Sequence, residues 1–308
     1  MHLPKLSIII PVKNAATTVQ KTFDSIRKQN YKNLECIVID SLSTDGTKEI
    51  IEKNQDIINI FISEEDKSGA EAANKGIKIA SGDLIGFLYA DDYLESNALN
   101  ELSNAYINNS SYNIFSYGLS IENLHSKKII MESRDKKNIN LNLNNIFFKH
   151  VLNHFYSPRI FDKYGNYESL FYDGNIFFSN DREFMIRLAL NDERNFVIEK
   201  TLYRMTTHEN SFTGNRKNIV KIRYEHIAIA EKYLLNENLS IYKKNKLIDF
   251  KSHNLSLLLI YYFYKLDLKK LYKTFQDGFQ LKNVNWLLDI IKCPISEIFY
   301  RISVKKWL

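Results

Sequence analysis

The most constraining feature of the chain is a regular alternation of short apolar runs and helix-spaced segments through roughly its first ninety residues. Leu6–Val12, Leu34–Ile39, Ile57–Ile62 and Leu84–Tyr89 read as strands. Thr17–Gln29, Thr47–Lys53 and Ala70–Ala80 read as the helices between them, and Val19, Phe23 and Ile26 recur at helical spacing. Such alternation predicts an α/β fold with a parallel sheet and right-handed crossovers. Ligands of such sheets bind beyond the carboxyl ends of the strands. The segments to weigh are therefore Pro11–Asn14, Asp40–Gly46, Ser63–Gly69 and Ala90–Asp92, and three of the four carry carboxylates.

Further along, Glu95–Ile107 and Asp181–Leu190 read as helices and Asn113–Leu119 as a strand. Residues 120–150 are polar and Asn-rich, with a strand expected at Lys128–Glu132. From Asn218 the pattern is helical to the end, with a break expected at Gly278, and a soft boundary falls at 214–217. The expected organisation is a domain over 1–214 and a helical extension over 215–308.

The net charge of +6 is modest for 308 residues, and Lys and Arg are spread along the chain. A nucleic-acid binder would concentrate them on one element. Cys36 lies in an apolar run far from Cys293, which argues for a buried thiol and against a disulfide scaffold or zinc site. Met1–Lys5 leads straight into the first strand and leaves no room for a signal peptide. The longest apolar stretch, Leu255–Tyr264, is far shorter than the ~20 residues of a spanning helix. The expectation is a cytoplasmic protein. Because Leu255–Tyr264 is apolar nearly all round, it should be buried in protein or in a homodimer interface. Ile298–Leu308 mixes aromatic and basic residues, which leaves open peripheral contact of the C-terminal helices with the inner face of the plasma membrane.

Asp91 and Asp92 follow an apolar strand, where two adjacent carboxylates are costly to leave uncompensated. A hard cation such as Mn2+ or Mg2+, bridging carboxylate and phosphate oxygens, would offset that cost. The plainer account is a cap on a helix starting near Tyr93. Asp40 ends a strand and could accept from a base or ribose. Asp45-Gly46 reads as a turn and cap.

Taken together, the stretches SIIIPVKN, DSLSTDGT, SEEDKSGAEAANKGIKIASGD and GFLYADD, with Asn180–Leu188, resemble glycosyltransferase family 2, the inverting enzymes of the GT-A fold. The likeness runs from about Leu6 to about Gly214. It implies a Rossmann-like, mainly parallel sheet flanked by helices, with a nucleotide-binding half over about 1–92 and an acceptor half over 93–214. It implies transfer from a nucleotide-sugar, a UDP-sugar first, to a glycan or lipid-linked acceptor. By position, Asp40 would contact the uracil or ribose beside main-chain groups of Pro11 and Val12, and Asp66 would lie at the nucleoside. Asp91 would bind the metal, Asp92 would support the metal or the donor, and Asp181 would be the general base with Glu183 as its back-up.

Two departures stand out: Tyr89 occupies the first position of the DXD motif, and Ala73 stands where many members carry Arg. Lys67 or Lys75 could supply positive charge to the diphosphate. His208 resembles the family's YR…H segment and could approach the diphosphate or metal. His154 reads as either an acceptor-side or a buried structural residue, and His226 as structural. Tyr89 and Ala73 keep alive a rival reading, an inactive relative serving as an assembly or binding subunit. A dinucleotide-dependent oxidoreductase is disfavoured because Pro11–Thr17 contains no glycine to cradle a pyrophosphate.

Overall fold

The computed structural model describes residues 3–133, 141, 143, 153–166, 179–207, 216–282 and 285–292. The chain divides into two compact units, Met1–Gly214 and Asn215–Leu308.

In the first unit, β1 (Leu6–Val12) and β2 (Leu34–Asp40) are apolar nearly throughout because both faces of the sheet are covered. They pair in parallel with each other, with β3 (Ile60–Ser63) on one side and β4 (Leu84–Phe87) on the other. The crossovers are α1 (Val19–Arg27), α2 (Thr47–Glu52) and α3 (Gly69–Ile79). Val19, Phe23 and Ile26 form the buried face of α1, as their spacing predicted. Gly46 enters α2 at φ 97°, a left-handed conformation that suits glycine. Ser68 caps α3 by accepting from Glu71 N at 3.3 Å.

The second half of the sheet adds β5 (Tyr93–Leu94), β6 (Ile114–Asn123), β7 (Ile129–Ser133), β8 (His154–Tyr156) and β9 (Phe196–Thr207). The sheet order is β3-β2-β1-β4-β8-β6-β9-β5, with β7 on β6. Here β6 and β9 run parallel, while β8, β7 and β5 pair antiparallel. The helices α4 (Ala98–Asn108), α5 (Pro158–Tyr164) and α6 (Asn180–Leu190) complete the unit. The fold class is the expected α/β GT-A arrangement. The short β8 and the strand–strand returns of β5 carry no helical crossover, so the alternation rule did not announce them.

The second unit consists of α7 (Arg216–Leu234), α8 (Ile241–Tyr264), α9 (Leu268–Lys282) and α10 (Asn285–Lys292). Its core gathers Ile227, Leu255, Leu258, Tyr262 and Trp286. Gly278 does not break α9. A Cβ at this position would lie 2.2 Å from Trp286 Cε2, so the glycine lets the indole pack on the helix backbone. Burial of Leu255–Tyr264 is also partial: Phe263 and Tyr264 at its end are 64% and 53% exposed. His226 is buried against Asn254 and Phe250. Among the described residues no helix is long and apolar enough to cross a membrane.

Candidate active site

The carboxyl ends of β1, β2 and β3 are stitched together by short polar contacts. Val12 O accepts from Ser41 N at 2.9 Å, and Asn14 N donates to Ser43 Oγ at 2.8 Å. Thr44 N donates back to Asn14 Oδ1 at 2.9 Å. Asn14 and Leu42 both hold left-handed backbone, at φ 50° and 52°. For leucine this costs about 1–2 kcal/mol, a strain held in place by the hydrogen bonds around it.

Asp40 stands beneath this loop and is fully buried. Its carboxylate accepts from Ser43 N at 3.2 Å and from Ser63 Oγ at 2.7 Å. The sequence reading had it contacting the nucleoside directly. Its burial instead makes it the anchor of the Ser41–Ser43 loop, because a charge without solvent must be satisfied by fixed donors. Asp66 is likewise enclosed, with Lys75 Nζ 2.8 Å from its Oδ1. Burial raises the Asp66 pKa, and Lys75 opposes the shift. Lys75 also pairs with Glu64 at 2.7 Å, so it is committed to this acidic corner. Asp45 accepts from Ala16 N at 3.0 Å, Thr47 N at 3.1 Å and Thr47 Oγ1 at 2.5 Å, the turn role expected of it, while the cap position of α2 falls to Gly46 rather than Asp45.

At the end of β4 the chain turns, with Asp92 N donating to Tyr89 O at 3.0 Å. The turn sends the two aspartates in different directions. Asp92 is 2% exposed and points into protein. Its carboxylate accepts from Tyr203 Oη at 2.6 Å and from Thr206 N at 2.7 Å, both on β9. Burial and the neighbouring Asp91 push its pKa well up. Asp92, which the sequence reading gave a role supporting the metal or the donor, here ties β9 to the turn. Asp91 keeps a partly exposed position, while its carbonyl accepts from Thr206 Oγ1 at 2.7 Å. Thr22 Oγ1 of α1 holds Asp92 O at 2.8 Å, completing the clamp.

Asp181 is the second residue of α6, and Ser179 occupies the cap position. Its Oδ1 accepts from Arg182 N at 2.6 Å. The carboxylate is partly exposed yet hemmed in by protein, and this desolvation raises its pKa against the opposing charge of Arg182. Glu183 is fully buried and paired with Arg187 Nη2 at 2.5 Å, which removes it as a back-up base. Tyr89 joins the two ends of the site. Burial, then the charges of Asp181, Asp92 and Asp91, raise the pKa of its phenol, so all three carboxylates lie within its electrostatic reach. His154 is fully buried and stacked on Tyr156. His208 lies outside the described residues.

Among the described residues no three His, Cys, Asp or Glu side chains gather as a metal site. Asp91 is the partly exposed carboxylate of the pair at the β4 end. One carboxylate fits a divalent ion whose remaining ligands are phosphate and water oxygens, the usual manner of Mg2+. A cavity of about 400 Å3 lined by Glu95, Ser96, Ser120, Ile129, Glu132, Thr201 and Arg204 includes none of these residues. Arg204 neighbours Tyr203 on β9 and so points to the opposite face.

The profile of the family described as Glycosyl transferase family 2 matches residues 7–165, from β1 to the end of α5. The chain belongs to this family. Among curated family relatives, it is 39% identical over 104 residues to the Campylobacter jejuni GalNAc(5)-diNAcBac-PP-undecaprenol beta-1,3-glucosyltransferase, covering 32% of this chain and 34% of that protein. It is 44% identical over 89 residues to the Escherichia coli UDP-Glc:alpha-D-GlcNAc-diphosphoundecaprenol beta-1,3-glucosyltransferase WfaP, covering 29% and 36%. The matches thus span about a third of these relatives' lengths. By structure, the chain is similar to S. aureus TarS 1-349 in complex with UDP-GlcNAc, with a TM-score of 0.62 and 19% identity over 94% of this chain and 79% of that one. It is also similar to the mannosyltransferase PcManGT of Pyrobaculum calidifontis with GDP-Man and Mn2+, at TM-score 0.55 and 14% identity over 96% and 88%. These structural likenesses establish the GT-A fold of this family 2 member. The dinucleotide-dependent reading falls with them.

The clamp residues Tyr203 and Thr206 escaped the sequence reading. Tyr203-Arg204 was weighed only as a signpost to His208, and no local pattern links position 203 to position 92.

Proposed function

We propose that the chain is an inverting, metal-dependent glycosyltransferase that moves a sugar from a nucleotide-sugar, a UDP-sugar first, to a hydroxyl of a glycan or lipid-linked acceptor in surface-polysaccharide synthesis. The reading rests on Asp91 from the β4 turn and Asp181 from the start of α6 both lying within electrostatic reach of the Tyr89 phenol. In this reading Asp91 would serve the leaving diphosphate and Asp181 the incoming hydroxyl. That is the division of labour a single displacement at the anomeric carbon requires.

In this reading the Asn14–Ser43 loops form the nucleoside edge, with Asp40 holding them from below, beside the main chain of Pro11 and Val12. Asp91 would hold Mn2+ or Mg2+, whose chemistry is to neutralise charge on the departing diphosphate. Asp181 takes the acceptor proton, and its raised pKa makes it a stronger base than an ordinary surface aspartate. Tyr89 replaces a carboxylate with a neutral donor, lowering negative charge beside the phosphates. The lipid-linked acceptor draws support from the C. jejuni and E. coli relatives, both named as glucosyltransferases of undecaprenol-linked glycans.

The test is a thermal-shift screen of nucleotide-sugars with and without Mn2+, followed by transfer or hydrolysis assays with the donors that bind. A donor that binds the folded state raises the melting point by mass action. Stabilisation by one donor together with metal-stimulated turnover is expected. Binding without turnover would favour an inactive subunit, and no shift with any donor would sink the assignment.

A further inference from the structure

We infer that the α8–α9 corner of the C-terminal unit is a docking surface for an anionic phospholipid bilayer. Helix α9 carries two apolar faces. One packs inward through Leu271, Thr274 and Gly278. The other consists of Leu268, Tyr272, Phe275 and Phe279 at positions i, i+4, i+7 and i+11, and these are 71%, 65%, 39% and 41% exposed. The end of α8 adds exposed Phe263 at 64% and Tyr264 at 53%, and the turn before α9 adds Leu266 at 79%. Large side chains exposed contiguously along one line mark an interaction surface, whereas single exposed apolar residues do not.

The charges around the stripe select its occupant. Lys265, Lys269 and Lys273 are exposed beside it. On the helical wheel Lys269 lies next to Tyr272 on one side of the apolar line, with Lys273 further round on that side, towards Asp277 on the far side of the helix. Asp267 is engaged with Lys270 at 3.4 Å and caps Lys270 N at 3.1 Å. The edge of the stripe is therefore basic. An anionic bilayer accepts both features: the aromatic and leucine side chains enter the headgroup–acyl boundary and the ammonium groups meet the phosphates. Fifteen residues of α9 would lie in the membrane plane over about 22 Å. The docking stands on this surface alone. Its use, holding the chain where a lipid-linked acceptor resides, rests on the proposed function.

The experiment is flotation of the full chain with vesicles of phosphatidylcholine alone and of phosphatidylcholine with phosphatidylglycerol. Flotation with the anionic vesicles only, reversed by high salt, is expected. A lysine near an anionic surface contributes roughly fivefold in partitioning, so the Lys265→Gln, Lys269→Gln, Lys273→Gln triple variant should lose on the order of a hundredfold. The Leu268→Ser, Tyr272→Ser variant should lose flotation while keeping its melting temperature, since both side chains lie outside the core. Absence of flotation, flotation unchanged in both variants, or a lipid-free dimer abolished by Leu268→Ser, Tyr272→Ser would overturn the proposal. Nucleotide-sugar binding is measured on the same preparations without lipid. A chain that floats but binds no donor refutes the enzyme reading and leaves docking standing, and the reverse result separates them the other way.

Discussion

The phenol of Tyr203 donates to Asp92 Oδ2 at 2.6 Å across 111 positions of sequence, and its oxygen in turn accepts from Tyr89 N at 3.3 Å. One side chain on β9 thereby holds both ends of the turn that presents Asp91. Removing the hydroxyl in Tyr203→Phe leaves a buried carboxylate oxygen and a backbone N–H short of a partner, which costs about 1–3 kcal/mol. The melting temperature should fall by several degrees, and kcat/KM for the donor by about tenfold or more, as each 1.4 kcal/mol of lost transition-state stabilisation does. A lower melting temperature with unchanged kcat/KM would show that the clamp only stabilises the fold.

Asp91→Asn should behave in the opposite way. The isosteric change at a partly exposed position should shift stability less than the loss of the Tyr203 hydroxyl does. Transfer should fall at least a hundredfold, and stimulation by Mn2+ should vanish. Full activity in this variant removes the metal assignment.

For Asp181 the pH profile is the diagnostic. The base acts ionised, and burial lifts its pKa above the ordinary aspartate value of about 3.9. The acid limb of kcat/KM should therefore lie above that value, with activity lost as pH falls through it. Asp181→Asn should reduce turnover by about 10²–10⁴-fold while UDP binding, followed by calorimetry, is retained. Loss of UDP binding would place Asp181 on the donor side instead.

Glu35 links pH to the stability of the sheet. Burial pushes its pKa up, but hydrogen bonds from Lys5, Ser7 and Ser81 outweigh this and bring it down to about 2. The contribution is fully present above the unfolded value of about 4.3 and is lost as pH falls towards the folded value. Allowing for solvent screening at the partly exposed Lys5, on the order of 2 kcal/mol should disappear between about pH 6 and about pH 2. Urea unfolding across that range checks it, and Glu35→Gln should flatten this part of the dependence.

Gly278→Ala tests the packing of the C-terminal unit. The added methyl meets the Trp286 ring and should destabilise that unit by about 1–3 kcal/mol. Unchanged thermal unfolding, followed through tryptophan fluorescence, would mean the helix shifts freely.

Where neighbours in sequence are neighbours in space, the residues were legible. The unbroken apolar runs of β1 and β2, the helical spacing of Val19, Phe23 and Ile26, and the Asp45-Gly46 turn all express local periodicity or turn chemistry. Gly278 misled because a glycine in a helix reads as a break when the side chain packed on it, Trp286, lies eight positions on in a separate helix. The surroundings of Asp40, Asp66 and Asp92 were not legible for a related reason. The groups that enclose a carboxylate at a strand end come largely from other parts of the chain: Ser63 for Asp40, Lys75 for Asp66, and Tyr203 and Thr206 for Asp92.

The parallel direction of the first four strands follows from the sequence alone, while their order β3-β2-β1-β4 was set by the tertiary structure. Alternating apolar runs and amphipathic helices can bury their faces only as a parallel sheet with helices on it, and this places the loop ends of β1, β2 and β4 on one edge. Which aspartate faces outward was a tertiary decision. Asp91 and Asp92 are chemically identical neighbours, and no composition or spacing distinguishes them. Tyr203 and Thr206 arrive from β9 and satisfy Asp92, so its charge is spent inside the protein. Asp91, one residue earlier on the turn, keeps a side chain that reaches the surface.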